Sequence, residues 1–324
     1  MNFTPIDMKG SVEGFCLIKT LDIKTSSKGD TYLDIMLSDK EGEINAKLWS
    51  YNPAFHGEFA VGQIVKVRGV ISVYNGSNQL RIEKIRNISD TDNIKPEDLV
   101  KTADYDGEKM FDELYSIANS FENNDLKKIV TAILNERKLP LLYWPAAFKL
   151  HHAIRGGLLL HTLSIVRLCE NVCKIYPFIN RELLISGAIL HDIAKIEEFD
   201  VEQSTGIASG YSVKGNLIGH LVEGAIYIRS VAEKCSVPQE TSNLLEHMVI
   251  SHHGEPDFGA AVRPMFIEAE ILSELDMLDA RIYEMKEAVG EVKTGEFTQR
   301  IWSMDNRKLY NHGLSELDDK TKLF

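Results

Sequence analysis

Between His151 and Lys195 the chain reads HHAIRGGLLLHTLSIVRLCENVCKIYPFINRELLISGAILHDIAK, which sets ionisable side chains inside apolar, helix-periodic runs. His161 falls on one run and the adjacent pair His191 and Asp192 on the next. His220, the pair His252 and His253, and Asp276 with Asp279 follow in three more. Burying such a group without a partner costs ~2–7 kcal/mol. One buried histidine is ordinary, because a hydrogen bond inside the core satisfies it. Five separate runs carrying them require a common cause, and a shared metal centre partners all of them at once. Neutral imidazole nitrogen and carboxylate oxygen suit Mn, Fe, Co or Zn, and a two-ion site needs a bridging carboxylate with several histidines.

Local patterns sharpen the expectation. Gly156 and Gly157 precede the His161 helix, whose stripe of Ile165, Val166, Leu168, Cys169 and Val172 puts His161 at the N-terminal end, near a cavity mouth. Residues 182–196 read as the next helix, with His191 and Asp192 near its end. Adjacent helical side chains point about 100° apart, so an ion sits in the wedge between them or Asp192 bridges two ions. Lys195 lies one turn beyond His191, within reach of a phosphate oxygen. The alternative is a solvated lysine favoured by the helix dipole. The glycine-rich FDVEQSTGIASGYSVKGNLIG reads as a loop framing the cavity, with no strand expected before Met285. His247 stands off the face of His252 and reads as structural. Asp276 and Asp279 lie three apart on one face, where like charges repel unless a metal or Arg281 intervenes.

From Val12 to Ile88 the period changes to two. Five short β-rich runs, separated by turn signals such as SSKGD, DKEGE and NGSNQ, fit a small barrel of the OB type, with a small sandwich as the alternative. On such a barrel nucleic acid is held by stacking and basic residues. Tyr32, Trp49 and Tyr74 are the candidate stackers, and Lys28, Lys47, Arg68 and Arg81 the phosphate partners. Trp49 and Lys47 share one strand face by the period of two. Ser89 to Asp106, polar and interrupted by Pro96, reads as a linker, after which amphipathic helices begin at Glu108, the second ended by Pro140. The expected organisation is multidomain: an all-β OB-like barrel over 1–90, a linker over 91–107 and an all-α domain over 108–324.

Charge and cysteine content narrow the class. The net charge of −12 argues against a nucleic-acid partner at face value, but residues 1–90 hold 11 Lys/Arg and 11 Asp/Glu, so the deficit lies beyond them. Cys16, Cys169, Cys173 and Cys235 are too scattered for a disulfide framework. No apolar run approaches the ~20 residues of a membrane helix, and the N-terminus lacks a signal-peptide core, so a cytoplasmic location with no membrane partner is expected.

The order H…HD…H…HH…D over residues 145–285 resembles the HD-domain phosphohydrolases, an all-helical family of metal-dependent enzymes acting on phosphate esters. The resemblance implies that His161, His191, Asp192 and Asp276 hold one ion. It assigns Asp192, His220 and His252 to the other, with His253 as a further candidate. Asp276 is preferred to Asp279 because LDMLDA is similar to the family's final ADxLDA segment. The doubled histidine and glycine also resemble the HD-GYP cyclic-dinucleotide phosphodiesterases, without their GYP signature. The whole chain, with HHAIRGGLLLHTLS, SHHG and the tail FTQRIWSMDNRKLY, resembles the YhaM-type 3′-to-5′ exoribonucleases of Gram-positive bacteria.

That resemblance implies a two-metal phosphodiesterase, with manganese as the leading ion and Co, Fe or Zn as alternatives. It would remove nucleotides from single-stranded RNA, with single-stranded DNA as a second candidate. Asp192 and Lys195 would be catalytic, with His152 and Arg155 as further phosphate contacts. The rivals are an HD enzyme acting on small or cyclic nucleotides and a nucleic-acid-binding protein with a structural metal. Oligomeric state is not legible.

Overall fold

A computed structural model describes all residues except 1–2, 7–9, 149–152 and 318–319. The chain forms two compact units. One is Met1–Thr102 with Val201–Ser209, and the other is Ala103–Asp200 with Gly210–Phe324.

In the first unit a two-residue strand β1 (Thr4–Pro5) precedes β2 (Ser11–Thr25), β3 (Thr31–Asp39), β4 (Gly42–Leu48), the short helix α1 (Pro53–His56), β5 (Ile64–Tyr74) and β6 (Ser77–Asn87). Alternation sends Cys16, Ile18, Leu33, Ile35, Leu37, Ala46, Val65, Val67 and Leu80 inward, where they are almost fully buried. Each such aliphatic side chain contributes ~1.5–3 kcal/mol. The long β2 pairs its first half with β5 and its second half with β3, and its register shifts between Ile18 and Thr20. That shift is what lets one strand serve two partners and close the sheet. β3 pairs with β4, β4 runs parallel to β6, and β6 pairs antiparallel with β5. This is the closed five-stranded OB barrel expected from the alternation, with β1 added at its edge.

The second unit is helical: α2 (Gly107–Asn119), α3 (Asn124–Leu141), α4 (Gly157–Ile175), α5 (Arg181–Leu190), α6 (Lys195–Glu198), then strands β7 (Phe199–Glu202) and β8 (Ile207–Tyr211), α7 (Val213–Leu217), α8 (Gly219–Lys234), α9 (Gln239–Ser251) and α10 (Ile267–Gly290). Asp106 and Asn123 cap α2 and α3 by accepting hydrogen bonds from first-turn amides. Pro140 does not end α3, which runs one residue further. The first ten residues of α4 are all buried, so this helix is the axis on which α2, α5 and α10 pack. Among the described residues no helix is long and apolar enough to cross a membrane, and all four cysteines are free.

Residues 91–107, expected to be a linker, carry local structure. Two single-turn 3-10 helices lie there, one tied back by Arg86, whose guanidinium grips Asp92 through two contacts of 2.7 Å. The supposed loop 199–219 contains the β7–β8 hairpin, and its tip belongs to the first unit. There Thr205 is fully buried and its hydroxyl donates to the Gly62 carbonyl at 2.7 Å. Gly62 has φ +89°, and a Cβ on it would sit 2.9 Å from Cβ of Glu202, so only glycine fits. The hairpin escapes periodicity because its strands, FDVE and IASGY, are only four and five residues long, too short for a period of two to show.

Candidate metal centre

His161 occupies the fifth position of α4, fully buried and not at a cavity mouth as the sequence suggests. His191 is the C-cap of α5, and Asp192 lies in the turn between α5 and α6. The expected unbroken helix over 182–196 is therefore interrupted. Hydrogen bonds from Ile193 N to Leu190 O (3.2 Å) and from Lys195 N to Asp192 O (3.0 Å) tighten the chain into an i to i+3 turn. His220 is the second residue of α8, His252 caps α9 with His253 just beyond, and Asp276 and Asp279 come from α10.

These segments converge on the Asp192 carboxylate. Its Oδ2 lies 3.3 Å from His191 Nε2, 3.6 Å from His161 Nε2 and 2.7 Å from Lys195 Nζ. Its Oδ1 lies 3.5 Å from His220 Nε2 and 3.6 Å from His252 Nε2. Asp276 Oδ1 stands 3.1 Å from His161 Nε2. Among the described residues, potential ligand atoms within 4.8 Å of one another form three sets: His161, His191 and Asp276; His191, Asp192 and His252; His220, His252 and His253.

Whether a metal suits these residues is tested by their unsatisfied atoms. Asp192 Oδ1, His220 Nε2 and His252 Nε2 are buried without a hydrogen-bond partner among the described residues, at ~1–3 kcal/mol each. All three face one another, and atoms bound ~2.0–2.2 Å from one ion sit ~3–3.6 Å apart. The donor set fits a divalent metal.

Behind the inner nitrogens stands a second layer that holds the rings. His161 Nδ1 donates to Asp279 Oδ2 at 2.9 Å, and the Ser164 hydroxyl donates to the other oxygen of Asp279. Asp276 thus faces the cluster while Asp279 lies behind it. His191 and His252 donate Nδ1–H to the carbonyls of Ala188 and Val249 at 2.8 and 2.7 Å, and His253 to that of Phe258 at 2.9 Å. For His220 the partner is Glu198, whose Oε1 accepts from Nδ1 at 2.9 Å and from the backbone N–H at 3.2 Å. Such partners fix the tautomer that presents Nε2 inward. Sequence reasoning missed Glu198. Its only signal is its place in KIEEF, one turn after Lys195. Its backbone is pinned by Gly215, where a Cβ would come within 2.1 Å of the Glu198 carbonyl oxygen.

Electrostatics follow from this layering. Burial would lower His161, but Asp276 and Asp279 outweigh it and raise the imidazole to about 10. Burial carries His252 the other way, to about 3, with Asp192 opposing and His191 and His253 reinforcing. Asp192 and Asp276 lie well below the usual carboxylate range despite burial, Asp192 through Lys195 and His191, and Asp276 through His161 and His191.

The cluster opens into a cavity of about 840 Å³. Its other wall is apolar: Phe148, Phe199, Tyr211, Phe258 and Met277. Tyr211 meets the edges of Phe199 and Phe148 at centroid distances of 5.2 and 5.9 Å. Phe199 and Tyr211 stand at the outer ends of the short strands β7 and β8 and Phe258 in a single 3-10 turn, so no period announced them.

The remaining candidates scatter. His152 lies outside the described residues. Arg155 is half-buried with its guanidinium 5.6 Å from the Tyr143 ring centre, and it does not line the cavity. On the barrel, Trp49 falls just beyond β4, its ring 4.5 Å from that of Tyr32, with Lys47 Nζ 5.1 Å from the Tyr32 centroid. Arg81 is paired with Lys47 by register. Tyr74 and Lys28 are exposed, at the end of β5 and in the β2–β3 turn. Arg68 is not with this group. It lines a separate groove with Lys66, Lys84 and Arg86.

Comparison with known proteins matches residues 158–281 to the HD domain and residues 18–88 to the OB-fold nucleic acid binding domain. A 3′-5′ exoribonuclease YhaM of Listeria innocua is 36% identical over 301 residues, covering 93% of this chain and 95% of its own. Its namesake of Bacillus licheniformis is 36% identical over 299 residues, covering 92% and 94%, and that of Bacillus subtilis 33% over the same shares.

Proposed function

Because the chain belongs to the YhaM family of 3′-5′ exoribonucleases, we propose that it removes nucleotides one at a time from the 3′ end of single-stranded RNA by metal-dependent hydrolysis. The observation that carries this reading is Asp192, whose two oxygens face two different histidine groups, beside a cavity lined by His220, His252 and Asp276 and walled by aromatics.

His161, His191, Asp276 and Oδ2 of Asp192 would hold one divalent ion, and Oδ1 of Asp192, His220 and His252 a second, with His253 within reach. Manganese is the expected ion. Bound there, the ions supply Lewis-acid polarisation of the scissile phosphate and acidify a water. The rest falls to the chain. Asp279 and Glu198 keep the inner nitrogens of His161 and His220 aimed at the cluster. Lys195, half-buried beside Asp192 and lining the cavity, offers its ammonium to a phosphate oxygen. Tyr211 and Phe258 present faces on which a terminal base can stack. A pocket of about 840 Å³ suits about one or two nucleotides and excludes a duplex. The Tyr32–Trp49 face with Lys47 would hold the strand, and single-stranded DNA is the natural second substrate to try. The reading places the enzyme in the cytoplasm.

The test is hydrolysis of 5′-labelled oligomers with manganese added. A descending ladder with mononucleotide release is expected, with stalling at a stable hairpin. Asp192→Ala should abolish cleavage and lower bound metal while leaving the helical circular dichroism intact. Internal cuts in a circular RNA, or rapid hydrolysis of cyclic dinucleotides with RNA untouched, would promote small-nucleotide chemistry instead.

A further inference from the structure

We propose that the groove formed by β5, β6 and α1 is a second path for single-stranded RNA, binding phosphates 5′ of the cleaved end. That the occupant is RNA rests on the function proposed above, and the groove's charge is what would draw it.

The sequences VKVRG and EKIRN put two cations with the same outward alternation on each of two neighbouring strands. The antiparallel register then sets Lys66 opposite Arg86 and Arg68 opposite Lys84. Like charges facing each other across a strand pair are destabilising. Two of the four are relieved: Lys66 by Glu13 at 2.6 Å and Arg86 by Asp92. Arg68 and Lys84 form no ion pair with a carboxylate among the described residues. The groove holds about 550 Å³ and is lined by four cations against Glu13 and Glu83, in a chain of net charge −12. An anion is what this arrangement lacks.

Its rim supplies a feature that inorganic phosphate would not use. Phe55 on α1 is 84% exposed and touches only the edge of His56 on its aromatic side, at 5.0 Å and 86°. A free ring face beside unpaired cations is the combination that binds unpaired nucleotides without reading their sequence. The Tyr32–Trp49 face is differently equipped, because Asp34 already engages Lys24 at 2.7 Å and Lys47 at 3.1 Å. Burial would raise the Asp34 carboxyl, but hydrogen bonds from Lys24, Asn45 and Lys47 hold it at about 2. Lys24 and Lys47 are thus matched by Asp34, whereas Arg68 and Lys84 in the groove have no carboxylate ion pair among the described residues.

The experiment compares the intact metal-loaded enzyme with Arg68→Ala/Lys84→Ala and with Phe55→Ala. For the double variant, KM on a 20-nucleotide RNA should rise about tenfold, and the slope of log KM against log salt should fall by about 1.4, the value for two lost phosphate contacts on a single strand. KM on a four-nucleotide RNA and turnover of bis(p-nitrophenyl) phosphate should stay at the wild-type value. Relief of the cross-strand repulsion should leave the melting temperature equal or higher. Phe55→Ala, which disturbs no core packing, should raise KM on the 20-mer several-fold. An unchanged KM and salt slope in both variants would overturn the proposal, as would an equal loss on the tetramer. If the wild-type enzyme cleaves no RNA, the proposed function fails, and fluorescence anisotropy of labelled RNA still reads the groove. Binding weakened by the double variant then supports the path, and binding unaffected by it refutes it.

Discussion

Removing the Glu198 carboxylate should loosen the metal without touching a metal ligand. In Glu198→Ala, His220 loses the acceptor at 2.9 Å that fixes its Nδ1–H, and the backbone N–H loses its partner at 3.2 Å. A hydrogen bond to a charged group contributes ~1.5–3 kcal/mol, and loss of a partner behind a ligating histidine weakens metal affinity ~10–100-fold. The metal concentration for half-maximal activity should therefore rise by about 10–100-fold, or ~1.4–2.7 kcal/mol. Most of kcat should return at saturating metal. Glu198→Gln keeps an oxygen for both bonds and loses only the charge, so its shift should be smaller. Burial would raise Glu198, yet His220 holds it below its ordinary value, so the effect should be flat above the ordinary carboxylate range. Manganese titrations of activity, with calorimetry of loading, read both quantities. An unchanged half-saturation in Glu198→Ala would refute the reasoning, and a fall in kcat that metal cannot restore would assign Glu198 to the substrate.

Loading the metal-free protein at pH 8 should release about one proton from His161, raised by its two aspartates, and none from His252, already neutral; a pH-stat that records no release would contradict this. By the same shift, the stability His161 gives the metal-free protein is complete below its unfolded value near 6.5 and is lost as pH rises through about 10, which thermal melts across that window will detect. Tyr211→Ala should weaken RNA by ~1–3 kcal/mol, seen in KM on oligomers, while bis(p-nitrophenyl) phosphate turns over normally. A chain beginning at Glu108 should still cleave that diester but melt at lower temperature, because Thr205 would lose the Gly62 carbonyl that its hydroxyl meets; an undiminished melting point would count against the hairpin's contribution.

The metal cluster was legible because its members interrupt apolar runs, where each polar side chain is an anomaly on its own helix. The barrel was legible for a similar reason, since alternation survives along every strand. What stayed hidden depends on who meets whom. Glu198 looks like one more acidic residue at a helix end until α8 delivers His220 to it. Asp279 and Asp276 are equivalent on a helical wheel, and only the position of α4 separates the one behind His161 from the one in front. Arg68 reads as a member of the stacking face until the register sets it opposite Lys84. Lys195 was expected to be free for phosphate, and its pairing with Asp192 is a contact that spacing alone leaves open.

The β7–β8 hairpin imposes an order on synthesis. The first unit takes in Val201–Ser209, so the chain crosses between the units three times. A ribosome adding about 5–20 residues per second needs roughly 5–20 s to pass from Thr102 to Ser209. Throughout that interval the barrel stands complete in its strands but without the segment that seats Thr205. By then α2 to α6 have been made and can begin to pack. Folding of the two units must therefore overlap in time, and a chain stalled before residue 201 would carry a barrel that is closed but unfinished.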